Sequence, residues 1–70
     1  MKNNLKVERA IKNITQEELA KLIGVSRQTI NAMELCKYVP STVLALKIAK
    51  VFGKNIEDIF TLEDADKINI

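Results

Sequence analysis

Histidine and tryptophan are absent from this 70-residue chain, and cysteine occurs once, at Cys36. A lone cysteine excludes an intramolecular disulfide framework, and without histidine a multi-ligand metal site has few donors to draw on. With only three aromatic residues, the core has to be built from Leu, Ile, Val, Ala and Met. No apolar run approaches the roughly 20 residues that a bilayer-spanning helix needs, and the opening MKNNLKVERA lacks the apolar stretch of a secretory signal. These absences point to a reduced, cytoplasmic protein with no membrane partner. The length suits one small domain, 1–70, near the lower limit for folding alone. There is no Gly-rich phosphate loop and no constellation suited to catalysis, so the expectation is a non-enzyme with no cofactor, no metal and no evident small-molecule ligand.

What is present is an uneven charge. The net charge of +2 hides a split: residues 1–56 carry ten Lys/Arg against four acids, net +6, and residues 57–70 carry Lys67 against five acids, net −4. A basic body with an acidic end suits an anionic partner for the body, although small domains also scatter lysines for solubility.

Two glycines and one proline give little punctuation, so the chain should be mostly helical. A first helix fits residues 5–12, with Leu5, Val7, Ala10 and Ile11 roughly on one face. TQEEL marks a clearer start: Thr15 can cap, Glu18 completes a capping box, and Ile14 can staple onto the first turn. Leu19, Ala20, Leu22 and Ile23 follow, and Gly24 suits the positive φ that stops a helix. Ser26 caps a third helix with Ile30 and Met33 as its buried stripe. Ser41, after Pro40, caps a fourth, whose apolar face is Leu44, Ile48, Val51 and Phe52 and whose stop is Gly53. Asn55 caps a short fifth with Ile56, Ile59 and Phe60 apolar. In the tail, residues 61–62 and 68–70 have strand-like character, and residues 1–4 could pair with one of them in a small two-stranded antiparallel sheet.

The second and third helices are joined by Gly24 and Val25 alone. So short a connection forces a steep crossing, as in a helix-turn-helix. Leu19, Ala20, Ile23, Val25, Ile30 and Met33 then face inward, with Ala20 small because the third helix passes over it. The stretch TQEELAKLIGVSRQTINAME closely resembles the helix-turn-helix of the Cro/CI-type (XRE) regulators. CKYVPS, LALKIAKVFG and NIEDIF continue the likeness over about residues 5–62. The resemblance implies an all-α, five-helix lambda-repressor-like fold with the helix-turn-helix at about 16–35. It also implies a homodimer on double-stranded DNA, probing the major groove, in keeping with minimal family members of similar length.

In such proteins the second helix of the pair enters the groove with its N-terminal residues at base edges. Arg27 can donate a bidentate pair to guanine, Gln28 can pair with adenine, and Asn31 suits adenine or a phosphate. Backbone contacts fall to Gln16 at the start of the second helix, and to Ser26, Thr29, Lys37 and Tyr38; the Tyr38 ring can equally cover the core. By the same resemblance Arg9 and Glu34 form a structural ion pair. Ile56, Ile59, Phe60 and Leu62 exceed what so small a core needs and are expected at a dimer interface within 56–70.

Two positions depart from the family pattern. Cys36 stands where glycine or asparagine is common as the chain leaves the third helix, and its thiol is expected to be inert rather than an oxidant sensor. Glu8 stands where many members are apolar, with Val7 expected to rotate inward in its place. The alternative function is a protein-interaction module of the same fold, an antitoxin or an adaptor, since fold does not dictate function.

Overall fold

Hydroxyl side chains start the three central helices. Thr15 Oγ1 accepts from the Glu18 N–H at 3.0 Å while Glu18 Oε1 accepts from the Thr15 N–H at 3.0 Å, a complete capping box. Ser26 Oγ accepts from the Thr29 N–H at 3.2 Å, and Ser41 Oγ from the Leu44 N–H at 3.2 Å. Each such cap contributes about 1 kcal/mol by occupying an N–H that the helix leaves unpaired.

The computed structural model describes residues 1–67. The order is β1 (Lys2–Asn3), α1 (Leu5–Lys12), α2 (Gln16–Ile23), α3 (Arg27–Glu34), α4 (Thr42–Phe52), α5 (Ile56–Ile59) and β2 (Phe60–Thr61), then a single 3₁₀ turn at Asp64–Asp66. The strand-like stretch expected at 68–70 lies outside the described residues. Leu5, Leu19, Ile30, Met33, Ile48 and Ile59 are fully buried, so the core is aliphatic, as the composition requires. Ala20, Ile23, Leu44, Ala45, Ala49 and Phe60 complete it, and Val51 and Phe52 pack on its edge. Tyr38 stays exposed and does not cover the core.

The terminal sheet pairs Lys2 with Thr61 and Asn3 with Phe60, antiparallel. Asn3 also fastens β1 inward: its Nδ2 donates to the Met33 carbonyl at 2.7 Å. Phe60 therefore belongs to β2 and not to the fifth helix. This placement corrects the expected dimer surface, because Ile59 and Phe60 are spent on the chain's own core. Of the four apolar residues assigned to a partner, only Leu62 is exposed and Ile56 half-buried.

The first helix also differs from expectation. Its inward residues are Leu5 and Glu8, while Val7 and Ile11 are 55% and 70% exposed. Glu8 can be buried because Lys54, in the α4–α5 connection, donates Nζ to its Oε2 at 2.8 Å. A charge taken out of water requires such a partner. With Glu8 compensated, the inner side of α1 follows the Leu5–Glu8 spacing, and Val7 is left outside.

Candidate nucleic-acid interface

Leu19, Ala20 and Ile23 on α2 pack beneath Ile30 and Met33 on α3, with Val25 half-buried in the turn between them. Gly24 takes φ +77°, and the Gly24 and Val25 N–H groups both donate to the Ala20 carbonyl, at 2.9 and 3.0 Å. That left-handed residue closes α2, and the chain enters α3 after three residues, Gly24, Val25 and the cap Ser26, one more than the two expected. Ala20 is 2% exposed, within the core that the two helices share.

The turn holds α3 with Ile30 and Met33 inward and Arg27, Gln28 and Asn31 exposed. Residues three and four apart share a helix face, so Asn31 stands one turn beyond both Arg27 and Gln28. Arg27 also lines an open groove with Asn13, Gln16 and Glu17, beside the start of α2. Ser26 and Thr29 sit at the leading end of α3, and their hydroxyl oxygens share a hydrogen bond at 3.0 Å. Lys37 and Tyr38 are exposed in the loop beyond α3. Cys36, just before them, has φ +59°, the left-handed conformation that the family's glycine or asparagine would adopt easily. The N–H groups of Cys36 and Lys37 donate to Met33 and Ala32 carbonyls at 2.9 Å each, so the helix ends in a Schellman motif with Cys36 at its left-handed position.

Behind this face Arg9 and Glu34 form the expected ion pair. Arg9 Nε donates to Glu34 Oε2 at 2.6 Å and the terminal guanidinium nitrogen to Oε1 at 3.0 Å, a two-pronged contact joining α1 to the end of α3. Arg9 also donates to the Ile14 carbonyl at 3.1 Å, tying in the α1–α2 connection. Burial alone would push the Glu34 carboxyl up. Hydrogen bonds from Arg9 and Gln16, with the charges of Arg9 and Lys6, outweigh it and hold the group below the usual carboxylate range.

Gln16 has a role that the sequence does not signal. Its Nε2 donates to Glu34 Oε1 at 3.1 Å and to Asn31 Oδ1 at 3.3 Å. One amide thus bridges the ion pair to the outward face of α3. The residues it joins are 15 and 18 positions away, a separation that no local pattern reports.

The sequence profile of the Helix-turn-helix family matches residues 5–59. An uncharacterized HTH-type transcriptional regulator of Methanocaldococcus jannaschii is 66% identical over 64 residues, covering 91% of this chain and 97% of the relative. The uncharacterized HTH-type transcriptional regulator YgzD of Bacillus subtilis is 50% identical over 64 residues, with the same coverage of 91% and 97%. A further uncharacterized HTH-type transcriptional regulator, from Archaeoglobus fulgidus, is 52% identical over 66 residues, 94% of this chain and 93% of its own. With the short turn through Gly24, the buried Ala20 and the polar outward face of α3 in place, the chain belongs to the Cro/CI-type (XRE) helix-turn-helix family of DNA-binding transcriptional regulators.

Proposed function

We propose that this protein is a sequence-specific repressor that occupies a palindromic operator as a homodimer in the cytoplasm. The observation that supports it is the exposure of Arg27, Gln28 and Asn31 together on α3, a helix fixed from behind by Ile30 and Met33. In this reading the first turn of α3 lies in the major groove. Arg27 donates to guanine O6 and N7, and Gln28 pairs with adenine N6 and N7. Ser26, Thr29, Lys37 and Tyr38 hold the phosphates on either side, which sets register without reading sequence. Because Gln16 commits its side-chain hydrogens within the chain, a phosphate at the start of α2 is met by the Gln16 and Glu17 N–H groups, the Glu18 N–H being held by Thr15 Oγ1.

Two copies would place their third helices in successive major grooves, about 34 Å apart. The contact between copies falls at the end of the molecule that carries Leu62 and Ile56. There Ile56 lines an open, largely apolar groove with Val39, Pro40, Ala45 and Phe60. Selection of bound sequences from a random duplex pool tests the reading. A two-fold motif that loses preference at one position of each half-site in Gln28→Ala supports it; no enrichment above background rejects it in favour of a protein partner. Sedimentation that shows a monomer at high micromolar concentration rejects the dimer.

A further inference from the structure

The hydrogen bonds behind α3 have a direction, and it begins at a cation. An arginine guanidinium donates and never accepts, and it is not deprotonated in proteins. The carboxyl of Glu34, with its side chain 7% exposed and both oxygens on Arg9, is therefore an ionised acceptor. Whichever amide atom of Gln16 lies 3.1 Å from Glu34 Oε1 must be the nitrogen. That same nitrogen reaches Asn31 at 3.3 Å, so the Asn31 atom facing it must be the oxygen. Each amide orientation is dictated by the one before it. At the end of the chain Asn31 turns Oδ1 inward to Gln16. Its Nδ2 keeps both hydrogens, with no protein partner among the described residues, on an exposed position of the reading face.

We infer that Asn31 reads DNA as a hydrogen-bond donor, and that Gln16 is the positioning residue that makes it one. The inference rests on the proposal that α3 enters the major groove. A donor matches bases that present acceptors there: guanine through O6 and N7, or thymine through O4. Cytosine offers only the N4 amino donor. Adenine sets its N6 amino group beside N7, and the two-way pair that a free asparagine makes with it needs the oxygen that Gln16 has drawn inward. The ion pair of Arg9 and Glu34 thus reaches beyond holding α1 to α3. It sets the hydrogen-bonding sense of a base-reading side chain that it does not touch.

The experiment is duplex selection run in parallel on the unaltered chain, Asn31→Ala, Asn31→Asp and Gln16→Ala, with thermal unfolding of each to establish that it is folded. The expected result is guanine or thymine at one position of each half-site in the unaltered chain. That preference is lost at that position alone in Asn31→Ala. Asn31→Asp, which keeps the acceptor toward Gln16 and removes the donor, loses it too. Gln16→Ala frees the amide to turn and raises adenine relative to guanine at the same position by about tenfold, leaving the other positions unchanged. Three results overturn the inference: adenine at the Asn31-dependent position in the unaltered chain, retention of the preference in Asn31→Asp, or a Gln16→Ala chain that binds every sequence more weakly with an unchanged motif. Absence of any motif in the unaltered chain overturns the operator reading itself, a distinct outcome.

Discussion

Arg9 and Glu34 meet through two hydrogen bonds, at 2.6 and 3.0 Å, across 25 residues of sequence. The pair closes three junctions at once, because Arg9 also holds the Ile14 carbonyl and Glu34 also takes Gln16. Removing one partner leaves the other charge unpaired with little water around it, at a cost of about 3 kcal/mol. Arg9→Met should therefore lower stability by about that amount in urea unfolding. The double variant Arg9→Met, Glu34→Leu should lose less than the sum of the two single changes. Strict additivity would show that the two side chains do not act as a unit.

The same carboxyl predicts a pH dependence. Glu34 is held below the usual carboxylate range, burial acting upward and the hydrogen bonds of Arg9 and Gln16 prevailing downward. The folded state then binds its proton more weakly than the unfolded chain does. The stabilisation is complete above about pH 4.3, the ordinary glutamate value, and is lost as pH falls through the lower folded value. Glu34→Gln should be less stable at neutral pH and should lose less stability on acidification. An acid limb as steep as that of the unaltered chain would refute the assignment. Asp66, held low by the Met1 α-ammonium at 2.9 Å, contributes with the same sign from an exposed position.

Much of the fold is legible in the residues because its signals are local. Thr15 with Glu18, Ser26, Ser41, Gly24 and Gly53 sit at helix ends, where cap chemistry acts over three or four residues. The outward polar face of α3 is legible for a similar reason, as the spacing of Ile30 and Met33 sends Arg27, Gln28 and Asn31 outward. Side chains whose partners are distant in sequence were not readable in this way. Phe60 looked like surplus apolar surface on a fifth helix, but pairing of β2 with residues 2–3 turns it into the core. Glu8 looked out of place until Lys54, 46 positions away, supplied its counter-charge.

That pairing can be tested against its isosteres. Glu8 has its side chain 7% exposed, whereas Lys54 is 42% exposed. Lys54→Met should cost about 1–3 kcal/mol, since it leaves a buried carboxylate with one less hydrogen bond. Adding Glu8→Leu to Lys54→Met should recover most of the loss, because an apolar side chain at Glu8 needs no partner. Chemical denaturation of the two variants decides it: a double variant weaker than Lys54→Met would mean that the α1 site tolerates no aliphatic side chain.

Cys36 carries a left-handed backbone at φ +59° without being glycine. The strain for an L-residue is about 1–2 kcal/mol, and part of any gain from glycine is offset by the greater freedom of the unfolded chain. Cys36→Gly should raise stability by about 0.5–1 kcal/mol, and Cys36→Val, branched at Cβ, should lower it. A shift in thermal midpoint to lower temperature on Cys36→Gly would mean that the thiol makes a contact worth more than the strain.

The roles proposed for α3 and its following loop separate by salt and by sequence. Lys37 is placed at a phosphate, so Lys37→Ala should weaken binding to operator and to unrelated duplex by similar factors. It should also flatten the log Kd against log salt slope by about 0.9, one counterion's worth. Arg27 is placed at a base edge, so Arg27→Ala should weaken operator binding by about 1–3 kcal/mol while affecting unrelated duplex far less. Both changes remove one positive charge from an exposed position, so general electrostatic attraction falls alike in the two variants. The difference between them isolates base readout. Equal losses on operator and on unrelated duplex for Arg27→Ala would move Arg27 from the bases to the backbone, leaving Gln28 and Asn31 to carry the specificity.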